Sequence, residues 1–261
     1  TENNMKIQFI VVGWHYNQME FYETLQELEK NNDSIDVFWS CHKEPNKFVK
    51  DNFKYKVFDN VGEEFIAYQQ AIDYLELDGE TICFFMHDDI IMKNWDFINE
   101  CITRLNSGYK FIGNCLNYPL PEYNPYEVLS DGITEEFDNK MIRDYAKDST
   151  KHLFDTTLSP VLVVRGSFMC TIYKYLKEVD GFEPRKEAWI GPEWNDEHQT
   201  YCYRNSKGLG KFGNLFLFMF SYKINRHFGR NSITYLSNRY LDSDYMYEMG
   251  RGEIDPNNPP R

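Results

Sequence analysis

Short apolar runs alternate with amphipathic segments along the first 116 residues of the chain. Apolar runs without a helical period predict buried strands, and apolar residues spaced three and four positions apart predict helices. The predicted strands are 6–13, 35–41, 54–59, 82–86 and 109–116, and the predicted helices are 19–31, 62–75 and 95–105. Because strands and helices alternate, the sequence predicts an α/β fold with a Rossmann-like, mostly parallel mixed sheet flanked by helices.

The alternation ends at residue 116. Residues 117–132 are dense in Pro, Asn and Tyr, and a weakly periodic acidic segment continues to Ser159. This stretch predicts a long excursion over the sheet, which either covers a cleft or is an inert surface insertion. No linker is long enough to separate two domains, so we expect a single domain. It would span 1–254, with a first half at about 5–116, a second half at about 160–235, and a disordered Pro/Asn-rich tail at 255–261.

Composition narrows the class of partner and compartment. The formal net charge of −13 argues against nucleic acid as a partner, because nucleic-acid-binding proteins present a face of Lys and Arg. Six cysteines without a C-x-x-C pair predict free buried thiols, which favours a reducing, cytoplasmic compartment. The longest apolar run, 215–220, is far too short to cross a bilayer, and the start of the chain has no signal-peptide pattern. We therefore expect a soluble protein without a transmembrane segment.

The stretch ICFFMHDDIIM, at residues 82–92, places His87, Asp88 and Asp89 directly after a buried strand. Ligands of open α/β sheets bind at the carboxyl ends of the strands. Two adjacent carboxylates repel each other unless they are solvated or offset by a cation. The stretch is therefore either a polar turn, in which Asp89 caps the helix that follows, or a divalent-metal site.

A second group of motifs lies beyond residue 160. GSFM at 166–169 leads into VDGFE at 179–183, Glu197 and His198 precede Arg204 and Gly208, and NRHFGRNS occupies 225–232. Together with HDD, and in the same chain order across roughly 220 residues, these stretches resemble the motifs of family 2 and related GT-A glycosyltransferases. HDD would correspond to the metal-binding "DxD" motif, and His227 to the histidine of a late "H…G.S" element.

The resemblance implies a GT-A fold, the nucleotide-diphospho-sugar transferase fold, with the metal between the two halves of the domain. It implies transfer of a sugar from a nucleotide-diphosphate donor to a hydroxyl of a carbohydrate or glycoconjugate acceptor, with inversion. Mn²⁺ or Mg²⁺ would be held by Asp88, Asp89 and His227, and an imidazole ligand would favour Mn²⁺. The implied donor-binding residues are Val12, Gly13, Trp14, Cys41, Gln69, Asp88 and Gly166.

The general base of this reaction would lie in the acidic cluster WNDEH. Glu197 is the first candidate and Asp196 the second, although Asp196 could instead cap the helix that begins near Glu197. Trp189 and Trp194 stand beside Gly and Pro in a loop, and they are either core aromatics or a platform for the acceptor sugar.

Several positions depart from the family pattern. Ser40-Cys41-His42 replaces the acidic residues that usually read the nucleotide base, so the base of the donor stays open. His87 replaces the first Asp of "DxD", which leaves Asp89 as the surest ligand, and His227 could instead be a surface histidine. His15, His42 and His152 have no spacing signal and are not assigned.

Two alternative functions remain open at this point. A metal-dependent nucleotidyltransferase or phosphohydrolase shares an acid-rich strand end, but the chain has no glycine–lysine phosphate loop. A sugar-nucleotide-binding protein derived from the fold, without catalysis, is the other.

Overall fold

A mixed sheet of seven strands runs in the order β3-β2-β1-β4-β7-β6-β8. The computed structural model describes residues 5–59, 64–118, 161–182, 220–221, 224–225, 227–238 and 246–248. The strands of the sheet are β1 Ile7–Gly13, β2 Ile35–Cys41, β3 Lys54–Val57, β4 Ile82–His87, β6 Phe111–Tyr118, β7 Val161–Ile172 and β8 Ile233–Asn238. Strand β7 is antiparallel to both neighbours, and the other six strands share one direction.

Five α-helices, a 3₁₀ helix at Arg230–Ser232, helical residues at 220–221, 224–225 and 227–228, and a small second sheet accompany the seven strands in the described ranges. The α-helices are α1 Met19–Asn31, α2 Lys47–Asn52, α3 Glu64–Tyr74, α4 Phe97–Asn106 and α5 Tyr173–Glu178. Strands β5 Ile90–Met92 and β9 Met246–Glu248 pair antiparallel as the second sheet. None of the described helices has the length and apolar composition of a bilayer-spanning segment.

The predicted α/β class and the mostly parallel mixed sheet are confirmed. The five strands and three helices predicted from the first 116 residues all form, with boundaries that differ by a few residues. Helix α2 and the β5–β9 pair were not predicted. These elements are shorter than the stretch of sequence over which a helix or strand periodicity can be recognised. The single domain over 1–254 stays a prediction, and the excursion at 119–160 and the tail at 255–261 lie outside the described residues.

The centre of the sheet is buried on both faces because helices cover each side. Successive residues of β4 point to opposite faces. Phe84 packs against Phe9 and against Phe97 of α4, with ring centroids 4.9 and 5.6 Å away. Phe85, on the other face, packs 5.1 Å from the ring of Tyr68 in α3. The apolar run of β4 is therefore that of a central strand covered on both sides, as its lack of alternation predicts.

The free-thiol prediction is confirmed for the described cysteines. Their side chains are buried and unpaired in disulfides: Cys41, Cys83, Cys101, Cys115 and Cys170. Cys202 lies outside the described residues.

We predict that Phe84→Ala lowers the free energy of unfolding by about 4 kcal/mol, because it removes a fully buried ring and leaves a cavity. Urea denaturation followed by circular dichroism measures this loss. Tyr235→Ala is the matched control, since Tyr235 is 48% exposed, and should change stability by less than about 0.5 kcal/mol. Equal losses in the two variants would contradict the position of Phe84 at the centre of the core.

Candidate functional site

The ends of three neighbouring parallel strands meet at one edge of the sheet. Gly13 at the end of β1 pairs with Cys41 at the end of β2, and Val12 pairs with His87 at the end of β4. The segments that follow these strands, 14–16, 42–43 and 88–89, therefore start at the same level. This carboxyl edge is where open α/β sheets bind ligands.

Asp88 joins two of these segments. Its side chain is buried, and its Oδ2 accepts hydrogen bonds from the backbone N–H groups of Trp14, His15 and Tyr16 at 2.9, 2.7 and 2.7 Å. The hydroxyl of Tyr22 donates to the Asp88 main-chain carbonyl at 2.7 Å. One carboxylate oxygen is therefore committed to the loop between β1 and α1, which it holds against the end of β4.

The loop held by Asp88 has an unusual backbone. Tyr16 has a φ of +53°, in the left-handed region that non-glycine residues rarely adopt. Its ring stacks on Trp39 with centroids 6.0 Å apart, and its hydroxyl donates to the carbonyl of Lys43 at 3.2 Å. A Cβ at Gly13 would lie 2.5 Å from the Tyr16 hydroxyl oxygen, so a side chain there would displace the Tyr16 ring. The backbone strain at Tyr16 is offset by the three hydrogen bonds to Asp88 and by this ring packing.

Burial sets the protonation chemistry at this edge. Burial raises the pKa of the Asp88 carboxyl, while the N–H donors of Tyr16 and Trp14 lower this pKa in opposition. Burial also raises the pKa of the Cys41 thiol to about 11. Cys41 is therefore a neutral thiol at pH 7, which is a poor metal ligand and a poor nucleophile.

Asp89 lies beside Asp88 in a different environment. It is 8% exposed, and its Oδ1 is sealed from solvent without a hydrogen-bond partner among the described residues. Its Oδ2 is 3.7 Å from Nε2 of His15, and its Oδ1 is 3.7 Å from Nδ1 of His87. Nε2 of His87 is also buried without a described partner. Unsatisfied buried polar atoms are rare, and a water or an ion commonly accounts for them.

The donor atoms around Asp89 suit a divalent cation. Within the described ranges, no group of three or more His, Cys, Asp or Glu side chains is arranged to hold a metal ion. A cation bound through one or two protein side chains keeps its other positions for water and phosphate oxygens, as Mg²⁺ sites in phosphate-binding enzymes do. The Asp89 carboxylate, whose Oδ1 has no described donor and whose Oδ2 faces His15, therefore fits the metal that the sequence motifs imply.

The alternative interpretation of Asp89 as a helix cap is wrong. Asp89 leads into strand β5, and the next helix, α4, begins at Phe97 with Asp96 as its N-cap residue. The carboxylate of Asp89 is thus too far along the chain to serve the amino end of α4.

The other predicted donor-binding residues have varied surroundings. Trp14 is 42% exposed at the mouth of the edge, and the ammonium nitrogen of Lys43 lies 5.0 Å from its ring centroid.

The amide oxygen of Gln69 accepts from the N–H of Phe182 at 2.8 Å, which braces the turn after α5. Gly166 is buried, and its carbonyl accepts from the hydroxyl of Tyr68 at 2.6 Å. Val12 is buried in β1. A contact of these residues with a donor stays a prediction.

His227 is not at this edge. Ile233 of β8 is level with Cys83 of β4 through the register of β6 and β7. His227 comes before β8, at the amino edge, and its Nε2 is 3.1 Å from Glu178 Oε2. Asp89 is six residues beyond Cys83, so at about 3.3 Å per residue it lies about 20 Å away along the strands. This arrangement does not bring His227 and Asp89 to one ion.

Four predicted site residues lie outside the described residues: Asp196, Glu197, Trp189 and Trp194.

Sequence reasoning left His15 and Lys43 without a role at this edge. The signal that could have found them is positional, because each lies two residues beyond the end of a strand and the two strands are predicted to be parallel neighbours.

Comparison with known proteins yields a similarity of fold. No protein-family model and no curated protein sequence matches this chain. Among solved structures, it is similar to a mannosyltransferase from Pyrobaculum calidifontis in complex with GDP-Man and Mn²⁺, at 11% identity and a TM-score of 0.38, over 68% of this chain and 47% of that one. It is also similar to core-mannan synthase A from Aspergillus fumigatus in its Mn/GDP form, at 9% identity and a TM-score of 0.37, over 88% and 72% of the two chains.

Both matches were solved with Mn²⁺ and a guanine nucleotide or its sugar derivative. The chain spans about half the length of the first of them. At these TM-scores the superpositions are too loose to transfer any chemistry, so the function has to be argued from the residues of this chain.

We predict that Asp88→Ala lowers the free energy of unfolding by about 3 kcal/mol, because it removes the charged acceptor of three backbone hydrogen bonds. Asp88→Asn retains an acceptor oxygen and should cost less. Urea denaturation measures the loss, and amide exchange at Trp14, His15 and Tyr16 should accelerate in the alanine variant. Asp36→Ala, which removes an exposed carboxylate on β2, is the control. Unchanged amide exchange at residues 14–16 in Asp88→Ala would show that Asp88 does not hold the loop.

Proposed function

We propose that this protein is a metal-dependent glycosyltransferase that moves a sugar from a nucleotide-diphosphate donor to a hydroxyl acceptor. The observation that carries the proposal is the buried carboxylate of Asp89, with an unsatisfied oxygen, at the carboxyl edge of parallel strands β1, β2 and β4. The motif order that resembles GT-A glycosyltransferases supports the same reaction class.

The charge of the chain and of the donor favours a cation at such a site. The chain has a formal net charge of −13, and a nucleoside diphosphate is itself strongly anionic. Lys43, exposed at the end of β2, supplies one positive charge near the mouth of the edge. A divalent ion at Asp89 would neutralise more of the diphosphate charge and stabilise it as a leaving group.

Different residues at the edge would contact different parts of the donor. Asp89 would hold the ion, and the exposed indole of Trp14 offers an aromatic face against which a base or ribose can pack. The Tyr16 hydroxyl fills the space beside Gly13 and so closes the end of β1 on that side. In our proposal the donor would bind with its diphosphate towards β4 and its nucleoside towards β1 and β2.

The acceptor side of the reaction falls to the second half of the chain. In an inverting transfer the acceptor oxygen forms a bond to the anomeric carbon while the bond from that carbon to the diphosphate oxygen breaks. A carboxylate, Glu197 in our proposal and Asp196 as the alternative, takes the hydroxyl proton as general base. Trp189 and Trp194 would present aromatic faces to the acceptor sugar.

We predict that Asp89→Asn abolishes metal-dependent binding of nucleoside diphosphates, since the amide cannot supply the anionic ligand. Isothermal titration calorimetry with GDP and UDP, each with Mn²⁺, Mg²⁺ or EDTA, measures this on the full chain. Asp36→Asn removes a carboxylate from the far end of β2 and should bind as the unmodified protein does.

Two outcomes would count against the proposed function. Metal-independent binding, or unchanged affinity in Asp89→Asn, would remove the metal from the mechanism. Metal-dependent binding without sugar transfer to any of a panel of acceptors, with a nucleotide-sugar panel that includes GDP-mannose as donors, would favour a binding protein without catalysis.

We predict that Glu197→Gln lowers the rate of sugar transfer by roughly 10² or more with little change in donor affinity, which is the scale of general-base catalysis. Asp196→Asn should instead cost stability, on the order of 1 kcal/mol, as a lost helix cap. Single-turnover transfer assays compare the two variants. A collapsed rate in Asp196→Asn with a near-normal rate in Glu197→Gln would reverse the assignment.

A further inference from the structure

We propose that His15, in the loop between β1 and α1, supplies the imidazole ligand of the divalent ion at Asp89. The inference rests on the proposed function, because the ion is the one that would accompany the donor diphosphate. It assigns a metal-binding role to a histidine that sequence motifs leave unassigned and that lies two residues beyond the first strand.

The distance between the two side chains fits a shared ion. Nε2 of His15 lies 3.7 Å from Oδ2 of Asp89. This is too long for a hydrogen bond between them. Two ligand atoms bound to one ion at about 2.1 to 2.2 Å can lie up to about 4.3 Å apart, so one divalent ion can contact both atoms where they stand.

The open side of the Asp89 carboxylate is the side that faces His15. Oδ1 is sealed from solvent, whereas the side chain of His15 is 44% exposed. An ion between Oδ2 and His15 would therefore keep free positions towards solvent, where diphosphate oxygens and water can bind. His87 lies on the sealed side, with its Nδ1 facing Oδ1 and its Nε2 buried.

Asp88 is the positioning residue that holds His15 in place. The N–H of His15 donates to Asp88 Oδ2 at 2.7 Å, between the equivalent hydrogen bonds of Trp14 and Tyr16. These bonds fix the backbone of His15 beside the end of β4, so little loop freedom is lost when an ion binds. The adjacent carboxylates thus have different tasks, one holding the loop and the other the ion.

An imidazole ligand has a consequence for the choice of metal. Nitrogen donors bind Mn²⁺ in preference to Mg²⁺, which favours an all-oxygen shell. His227 cannot supply this nitrogen from the amino edge, where it pairs with Glu178. The structure thus offers His15 for the role that the sequence resemblance gives to His227.

The test measures Mn²⁺ itself, without turnover. The full chain with ¹⁵N-labelled histidine is titrated with Mn²⁺ in the presence of UDP or GDP, and electron spin-echo spectroscopy reports nitrogen bound to the ion. We expect nitrogen coupling in the unmodified protein and in His227→Ala, the matched control at the opposite edge. His15→Ala should lose this coupling and bind Mn²⁺ about tenfold or more weakly, with a smaller change for Mg²⁺.

A second substitution guards against an indirect effect of the alanine. His15→Gln keeps a polar side chain of similar length but offers no imidazole nitrogen, and it should behave as His15→Ala does. Nitrogen coupling that persists in both His15 variants and disappears in His87→Ala would overturn the proposal in favour of His87. The unmodified protein could also bind Mn²⁺ in a manner that depends on Asp89 and yet show no nitrogen coupling. That result would overturn the assignment of His15 while leaving the proposed function intact.

Discussion

The candidate site depends on one interaction, the acceptance of three consecutive backbone N–H groups by a single oxygen of Asp88. A loop that leaves a strand has unpaired donors, and burying those donors is costly unless an acceptor meets them. Asp88 meets them from the neighbouring strand, so it fixes the separation and the register of the ends of β1 and β4. The left-handed backbone of Tyr16 and the glycine at position 13 are both consequences of this arrangement.

The same interaction explains why two acidic residues can stand side by side after β4. Adjacent ionised carboxylates at a buried strand end repel, and each needs its own compensation. Asp88 is compensated by the partial positive charges of the loop N–H groups. Among the described residues, Asp89 has no such donors on Oδ1, and imidazoles lie 3.7 Å away on both sides of it. The pair is therefore chemically asymmetric, and the asymmetry leaves Asp89 as the carboxylate able to bind a cation.

The sequence predicted the sheet better than it predicted the site. Strands such as β4 are recognisable because six residues with almost no polar side chain suit only a buried environment, whatever the neighbours are. The approach of His15 to Asp89 depends on the parallel pairing of β1 with β4 and on the backbone of Tyr16, which no periodicity encodes. The assignment of His227 to the metal does not hold for the opposite reason. The motif HFGRNS gives residue types in order, but it does not give the edge of the sheet at which they lie.

In the proposed function, an ion and a diphosphate at this edge would depend on each other. One carboxylate and one imidazole form a weak site for a divalent cation alone, and the acidic chain alone repels an anion. Each ligand removes the obstacle to the other, because the diphosphate supplies oxygens to the ion and the ion neutralises the diphosphate. Thermodynamic linkage then requires that each raises the affinity of the other by the same factor. An edge built around Asp89 and His15 would thus remain poorly occupied by either partner alone and would select the metal–nucleotide complex.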